Sequence, residues 1–111
     1  MDITAEIKKH NVFNIKHILE KLIKIEKCVM CNNITTHKEG KMQPNCKLNV
    51  YNGVIRAILC DNCNNIEENV RKLIETHITR AELLKKYDKN KMQNLLDIVY
   101  QEEGIVPMDI D

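Results

Sequence analysis

Apolar residues recur along this chain with two different periods, and each change of period marks a boundary. Ile15, Ile18, Leu19, Leu22 and Ile25 fall at i, i+3, i+4, i+7 and i+10. That is one face of an amphipathic helix, predicted over residues 14–27. Lys16, Lys21, Lys24 and Lys27 fall mostly off the stripe and read as a solvated face. Upstream, residues 2–10 read as a short polar helix or a mobile start. Residues 35–44 are polar, with Gly40 and Pro44 as breakers, and read as a loop. Residues 47–50 and 54–59 look like short strands. Asn52 and Gly53 between them tolerate positive φ, so a β-hairpin is expected.

Helical spacing then returns at Ile66, Val70, Leu73, Ile74 and Ile78. Thr79-Arg-Ala-Glu82 fits a capping box opening a helix to about Tyr87. Asp88 caps another, with Met92, Leu95, Leu96, Val99 and Tyr100 as its apolar stripe and Gly104 and Pro107 as its end. No repeat or low-complexity stretch is visible, and 111 residues predict a single domain.

The chemistry concentrates in residues 28–63. Two Cys-x-x-Cys pairs, Cys28/Cys31 and Cys60/Cys63, are separated by 28 residues. Two cysteines with two residues between them can turn both sulfurs to one point, and two such pairs complete a tetrahedron around Zn²⁺. The expected cofactor is one structural zinc with no open position for water. Free buried thiols, two disulfides and an iron–sulfur cluster are the competing readings. The second pair opens a helix, where backbone N–H groups and the helix dipole favour thiolates. A fifth cysteine, Cys46, reads as a small buried hydrophobe or an idle thiol, with a redox or metal role as the alternative. His37 reads as a bland loop residue, with ligand or base as alternatives.

An odd number of cysteines and an N-terminal segment without a clean apolar run point to a reducing compartment, cytosol or nucleus. No apolar run is long enough to cross a membrane. Formal net charge is +1, which is no nucleic-acid footprint by itself. It is unevenly spread: residues 1–63 carry ten Lys/Arg against six Asp/Glu, and residues 64–111 carry seven against ten. The basic half contains the cysteine loop, mild evidence for an anionic partner on one face. Ile, Lys and Asn make up 42 of 111 residues. All three have AT-rich codons, which points to an AT-rich source such as a large DNA virus or a protist.

Knuckle, hairpin, then a helix carrying the second ligand pair is the order of a treble-clef zinc finger. The expected fold is therefore α+β: an N-terminal helix over 14–27, a treble-clef zinc core over 28–78 and a helical extension over 79–103. The run Gly53-Val-Ile-Arg56-Ala-Ile-Leu-Cys60-Asp-Asn-Cys63-Asn64 resembles the HNH nucleases of the phage recombination endonuclease VII type, with a Gly-x-Val-Arg-Gly-Leu-Leu-Cys-x-x-Cys-Asn segment closing the hairpin. The resemblance covers roughly residues 28–75. It implies a DNA-bound hairpin and helix and an active site at their junction. The family's Asp-His-Asp-His motif on the first hairpin strand is missing. The stretch here is Asn45-Cys-Lys-Leu48 or Lys47-Leu-Asn-Val50, neither with a histidine. Asn64 alone matches an active-site position, and asparagine cannot activate water; its plain reading is a hydrogen bond from the start of the helix to the hairpin.

The leading expectation is thus a non-catalytic, degenerate HNH-like zinc module associated with nucleic acid through Lys38, Lys41, Lys47 and Arg56. A protein-interaction subunit, pairing its spare apolar helix faces with a second copy or a larger complex, is the main alternative. An active endonuclease using His37 as a displaced base is the third. A helix-turn-helix over residues 79–101 offering Lys89, Lys91, Gln93 and Asn94 is a further variant of the first.

Overall fold

Residues 3–9 and 15–100 are described by a computed structural model, with only the backbone considered for residues 15–18. The chain opens with α1 (Ile3–Lys8) and α2 (Ile15–Lys24). Two antiparallel hairpins follow: β1 (His37–Lys38) with β2 (Lys41–Met42), then β3 (Cys46–Tyr51) with β4 (Val54–Cys60). The helix α3 (Asp61–Glu75) leaves β4 directly. After it come α4 (Arg80–Lys86), α5 (Lys89–Asn94) and a π-helical turn over Leu95–Val99.

The long hairpin has the turn its sequence demands. Asn52 and Gly53 both take positive φ, 50° and 77°. That is the primed turn whose twist matches paired strands. The register runs from Tyr51↔Val54 to Cys46↔Cys60, with an irregularity between Asn49 and Val50. Because of it Leu48 and Asn49 are both buried, breaking the strand's alternation. β4 is covered over almost its whole length, and α2 and α3 pack on it.

Three expectations need correction at the N-terminal end. Residues 35–44 are not a loop but the short β1–β2 hairpin, turned by Glu39 and Gly40 at φ 53° and 78°. α1 is the short helix expected there, but it is not polar throughout. Ile3 and Ile7, one turn apart, are both buried, and the Ile3 N–H donates to the Gly40 carbonyl at 2.9 Å. The helix predicted over 14–27 ends at Lys24, because the chain then straightens so that Lys27 can bridge Thr35. Ile25 lies outside the helix and is more than a third exposed. The side chains of Ile15 and Ile18 are outside the described residues.

The helix α3 stops three residues short of Ile78. The His77 N–H reaches the Ile74 carbonyl and the Ile78 N–H the Leu73 carbonyl, with His77 at φ 64°. This is a Schellman stop with histidine where glycine is usual. Downstream, the predicted caps are present: Thr79 Oγ1 accepts from the Glu82 N–H and Asp88 Oδ1 from the Lys91 N–H. The whole predicted stripe of Met92, Leu95, Leu96, Val99 and Tyr100 is buried. Gly104 and Pro107 lie outside the described residues. No helix among those described is long and apolar enough to cross a membrane.

Candidate metal centre

The first cysteine pair sits on a tight backbone knuckle. The Asn32 N–H donates to the Cys28 carbonyl at 2.8 Å, the Cys28 N–H to the Ile34 carbonyl at 2.9 Å, and Asn32 takes φ 58° to close the turn. The Thr36 N–H reaches the Glu26 carbonyl, so the segments on either side of the knuckle run together. His37 reinforces this: its Nε2 donates to the Ile25 carbonyl at 2.7 Å from a fully buried position. It is therefore a structural clamp on the knuckle rather than a loop residue.

The second pair is placed by the junction of β4 and α3. Cys60 is the last strand residue and the N-cap, and its sulfur accepts from the Cys63 N–H at 3.5 Å. One turn later Cys63 lies on the same face. The four sulfurs of Cys28, Cys31, Cys60 and Cys63 all come within 4.8 Å of one another. Metal–sulfur bonds of about 2.3 Å in a tetrahedron place the sulfurs about 3.8 Å apart, so a small inward movement completes the coordination. Cys28, Cys60 and Cys63 are buried and Cys31 is partly exposed. The set can hold one metal ion.

The sulfurs also shift one another's acidity. A hydrogen bond from the Cys63 thiol, working against burial, pulls the Cys28 thiol from 9.0 down to about 4. Donating that bond, together with burial, pushes Cys63 far up, and burial pushes Cys60 up as well. Cys46 is outside the four-sulfur set. Its thiol is buried, points to the Thr35 carbonyl at 3.8 Å, and is raised to about 11 by burial and then by the charge of Cys60.

Beside this centre lies a buried polar network that the sequence reading missed. Glu67, on the inward face of α3, is fully buried. Its carboxylate accepts from Asn49 Nδ2 at 2.7 Å, from Tyr100 Oη at 2.6 Å and from Arg71 Nε at 3.1 Å. Arg71 Nη2 also contacts it, and Arg56 Nη2 pairs with it at 2.9 Å. Burial alone would raise the carboxyl, but the bonds from Arg71, Asn49 and Tyr100 and the charge of Arg56 outweigh it and hold Glu67 below its ordinary value. The Arg56 guanidinium is stacked 4.9 Å from the Tyr100 ring centre and 5.4 Å from that of Tyr51.

This network relocates Arg56 and gives Asn64 the hairpin bond that is its plain reading. Arg56 is not on the surface with the lysines: its side chain is 1% exposed, so it cannot reach a phosphate. It is structural: it shares the buried Glu67 carboxylate with Arg71, and with Glu67 removed it would itself be a buried charge without that partner. Asn64 is also buried, its Oδ1 accepting from Asn49 Nδ2 at 2.9 Å and its Nδ2 donating to Glu68 at 3.4 Å. Lys38, Lys41 and Lys47 are exposed, the first two facing each other across the β1–β2 hairpin. Of the helix-turn-helix candidates, Asn94 donates to the Met30 carbonyl at 2.9 Å and so pins the knuckle. Lys91 and Gln93 line an open polar groove with Asn32 and Asn33.

The sequence signal for Glu67 was slight. Glu67 and Arg71 are spaced i, i+4 and look like an exposed helix pair until Arg56 and Tyr100 are brought over them. Comparisons with protein-family models, curated proteins and solved structures gave no match.

Proposed function

We propose that Cys28, Cys31, Cys60 and Cys63 hold one structural Zn²⁺ and that the chain is a non-catalytic, treble-clef zinc module associated with nucleic acid. The convergence of the four sulfurs within 4.8 Å, from a knuckle and from a strand–helix junction, carries this reading. An all-thiolate, tetrahedral donor set suits zinc, and a closed shell leaves it a folding role. The ion would tie the knuckle to the start of α3, so that the hairpin between them is held at both ends.

The absence of a base at the hairpin–helix junction supports the non-catalytic reading. The HNH-like junction offers Asn49, Asn64 and Glu67, and Glu67 lies between two guanidinium groups that hold it as a carboxylate away from solvent. His37 is closed off and bonded to a backbone carbonyl. An active endonuclease is the weakest reading; plasmid cleavage with Mg²⁺ or Mn²⁺ that is lost in His37→Ala would establish it instead.

Lys38, Lys41 and Lys47 are the residues through which nucleic acid would be held, and contacts of this kind are to phosphate and weakly sequence-selective. Metal analysis coupled to fluorescence polarisation with DNA and RNA tests the proposal. Binding should weaken with rising salt, and the triple Lys→Ala variant should lose affinity and show a shallower salt slope. No binding at low salt rejects it. One observation favours the protein-interaction reading instead. Ile23, Ile25, Ile34 and Ile98 are each more than a third exposed, and Ile25 and Ile98 border a shallow apolar cleft with Leu22 and Val29. Light scattering on a sizing column separates the two: a concentration-dependent dimer without nucleic-acid binding selects the second.

A further inference from the structure

The fifth cysteine has a partner. Cys46 and Cys60 are direct cross-strand neighbours at the open end of the long hairpin. Directly opposite residues on antiparallel strands put their side chains on the same face. The Asp61 N–H donates to the Asn45 carbonyl at 2.8 Å, one step outside the pair. Cys46 and Cys60 therefore form a non-hydrogen-bonded pair, in which Cα atoms approach to about 4.5 Å. That lies inside the roughly 4.4–6.8 Å that a disulfide spans. Cys60 is also one of the four converging sulfurs, whereas Cys46 is not. A groove of about 370 Å³ lined by Glu6, Met42, Gln43, Pro44 and Cys46 opens the Cys46 side of the pair to solvent.

We infer that Cys46 and Cys60 are a redox pair: a peroxide joins them in a disulfide and withdraws one sulfur from the metal centre. This rests on the zinc reading for its consequence and on the hairpin register for its chemistry. The steps balance. The Cys60 thiolate takes an oxygen from the peroxide, giving sulfenic acid and releasing hydroxide (or alkoxide). The Cys46 thiol then attacks that sulfur; the S–S bond forms, the S–O bond breaks, and the departing hydroxide leaves as water with the thiol proton. The two electrons come from the two sulfurs and reduce one peroxide. Three sulfurs remain for the ion, so its affinity falls and the knuckle is no longer tied to α3. A thiol reductant reverses the exchange.

The test treats the zinc-loaded full chain with hydrogen peroxide. Released zinc is followed with a chromogenic chelator and disulfides are mapped by mass spectrometry after blocking free thiols. Zinc release should track a Cys46–Cys60 disulfide, and reduction with zinc present should restore the loaded protein. Cys46→Ser should bind zinc with unchanged stoichiometry and release it roughly tenfold more slowly under peroxide. Should serine be poorly accepted at this buried position, Cys46→Ala reads the same rate, and the wild-type map needs no variant. Release at the wild-type rate in both variants, or a map pairing Cys28–Cys31 or Cys60–Cys63 with Cys46 still free, would overturn the inference. A reduced protein that never holds metal counts against the zinc reading and not against the pair, whose disulfide is mapped independently.

Discussion

The Arg56 guanidinium lies 2.9 Å from the Glu67 carboxylate, with both side chains closed to solvent. It joins the strand that delivers Cys60 to the helix that carries Cys63, two of the four converging cysteines. Removing one partner leaves a buried charge. Glu67→Ala is expected to cost about 3–5 kcal/mol, a large part of the roughly 5–15 kcal/mol that holds a domain of this size folded. Urea denaturation of the metal-loaded protein measures it. A loss under about 1 kcal/mol would mean the pair is solvated in solution.

The same carboxylate predicts a pH dependence with a definite sign. Its folded-state value is below the ordinary 4.5, so the stabilisation is complete above that value and is lost as the pH falls below it. Metal release in acid adds its own dependence, so the comparison is between the wild type and Glu67→Gln. The stability difference between them should stay constant above about pH 5 and shrink below about pH 4.5. A difference that grows in acid contradicts the lowered value.

Tyr100 ties the last helical segment to α3 through its 2.6 Å bond to Glu67. Tyr100→Phe keeps the ring over Arg56 and removes that bond, at an expected cost of about 1.5 kcal/mol. Denaturant midpoints at fixed metal concentration check this. Hydrogen exchange should also rise selectively across Leu95–Val99, the turn that positions the ring.

Metal binding must displace protons. Cys60 and Cys63 have raised values and are protonated at pH 7 in the metal-free protein, so at least two protons leave per ion. Calorimetry of zinc binding in buffers of different ionisation enthalpy counts them. Apparent affinity should rise with pH through neutrality. Cys28→Ser or Cys60→Ser should remove the 1:1 stoichiometry outright.

His77 holds a left-handed conformation that costs a non-glycine residue about 1–2 kcal/mol, against the roughly 0.5–1 kcal/mol of chain entropy that glycine would forfeit. The side chain is exposed. His77→Gly is therefore expected to stabilise the protein by about 0.5–1 kcal/mol in thermal or urea unfolding.

Much of the architecture was legible before any coordinates, because it is set by neighbours in sequence. The pairs Cys28/Cys31 and Cys60/Cys63, the Asn52-Gly53 turn, the caps at Thr79 and Asp88 and the stripe from Met92 to Tyr100 are all local patterns, and each stands where it was predicted. The β1–β2 hairpin was not legible: its strands are two residues each and too short for periodicity to register. The burial of α1 was missed for a related reason: two isoleucines a turn apart make no stripe, and only the tertiary fold buries them and bonds the Ile3 N–H to the β1–β2 turn.

What the chain by itself determined is the Asn52-Gly53 turn, the caps at Thr79 and Asp88 and which four sulfurs can share an ion. Tertiary structure decided the allegiance of the polar residues. Arg56, Asn49 and Glu67 look like surface groups one at a time, and Cys46 looks idle. Whether a charge faces water or another charge depends on which segments the fold stacks, from residues up to 44 positions apart between Arg56 and Tyr100. No local pattern encodes that distance.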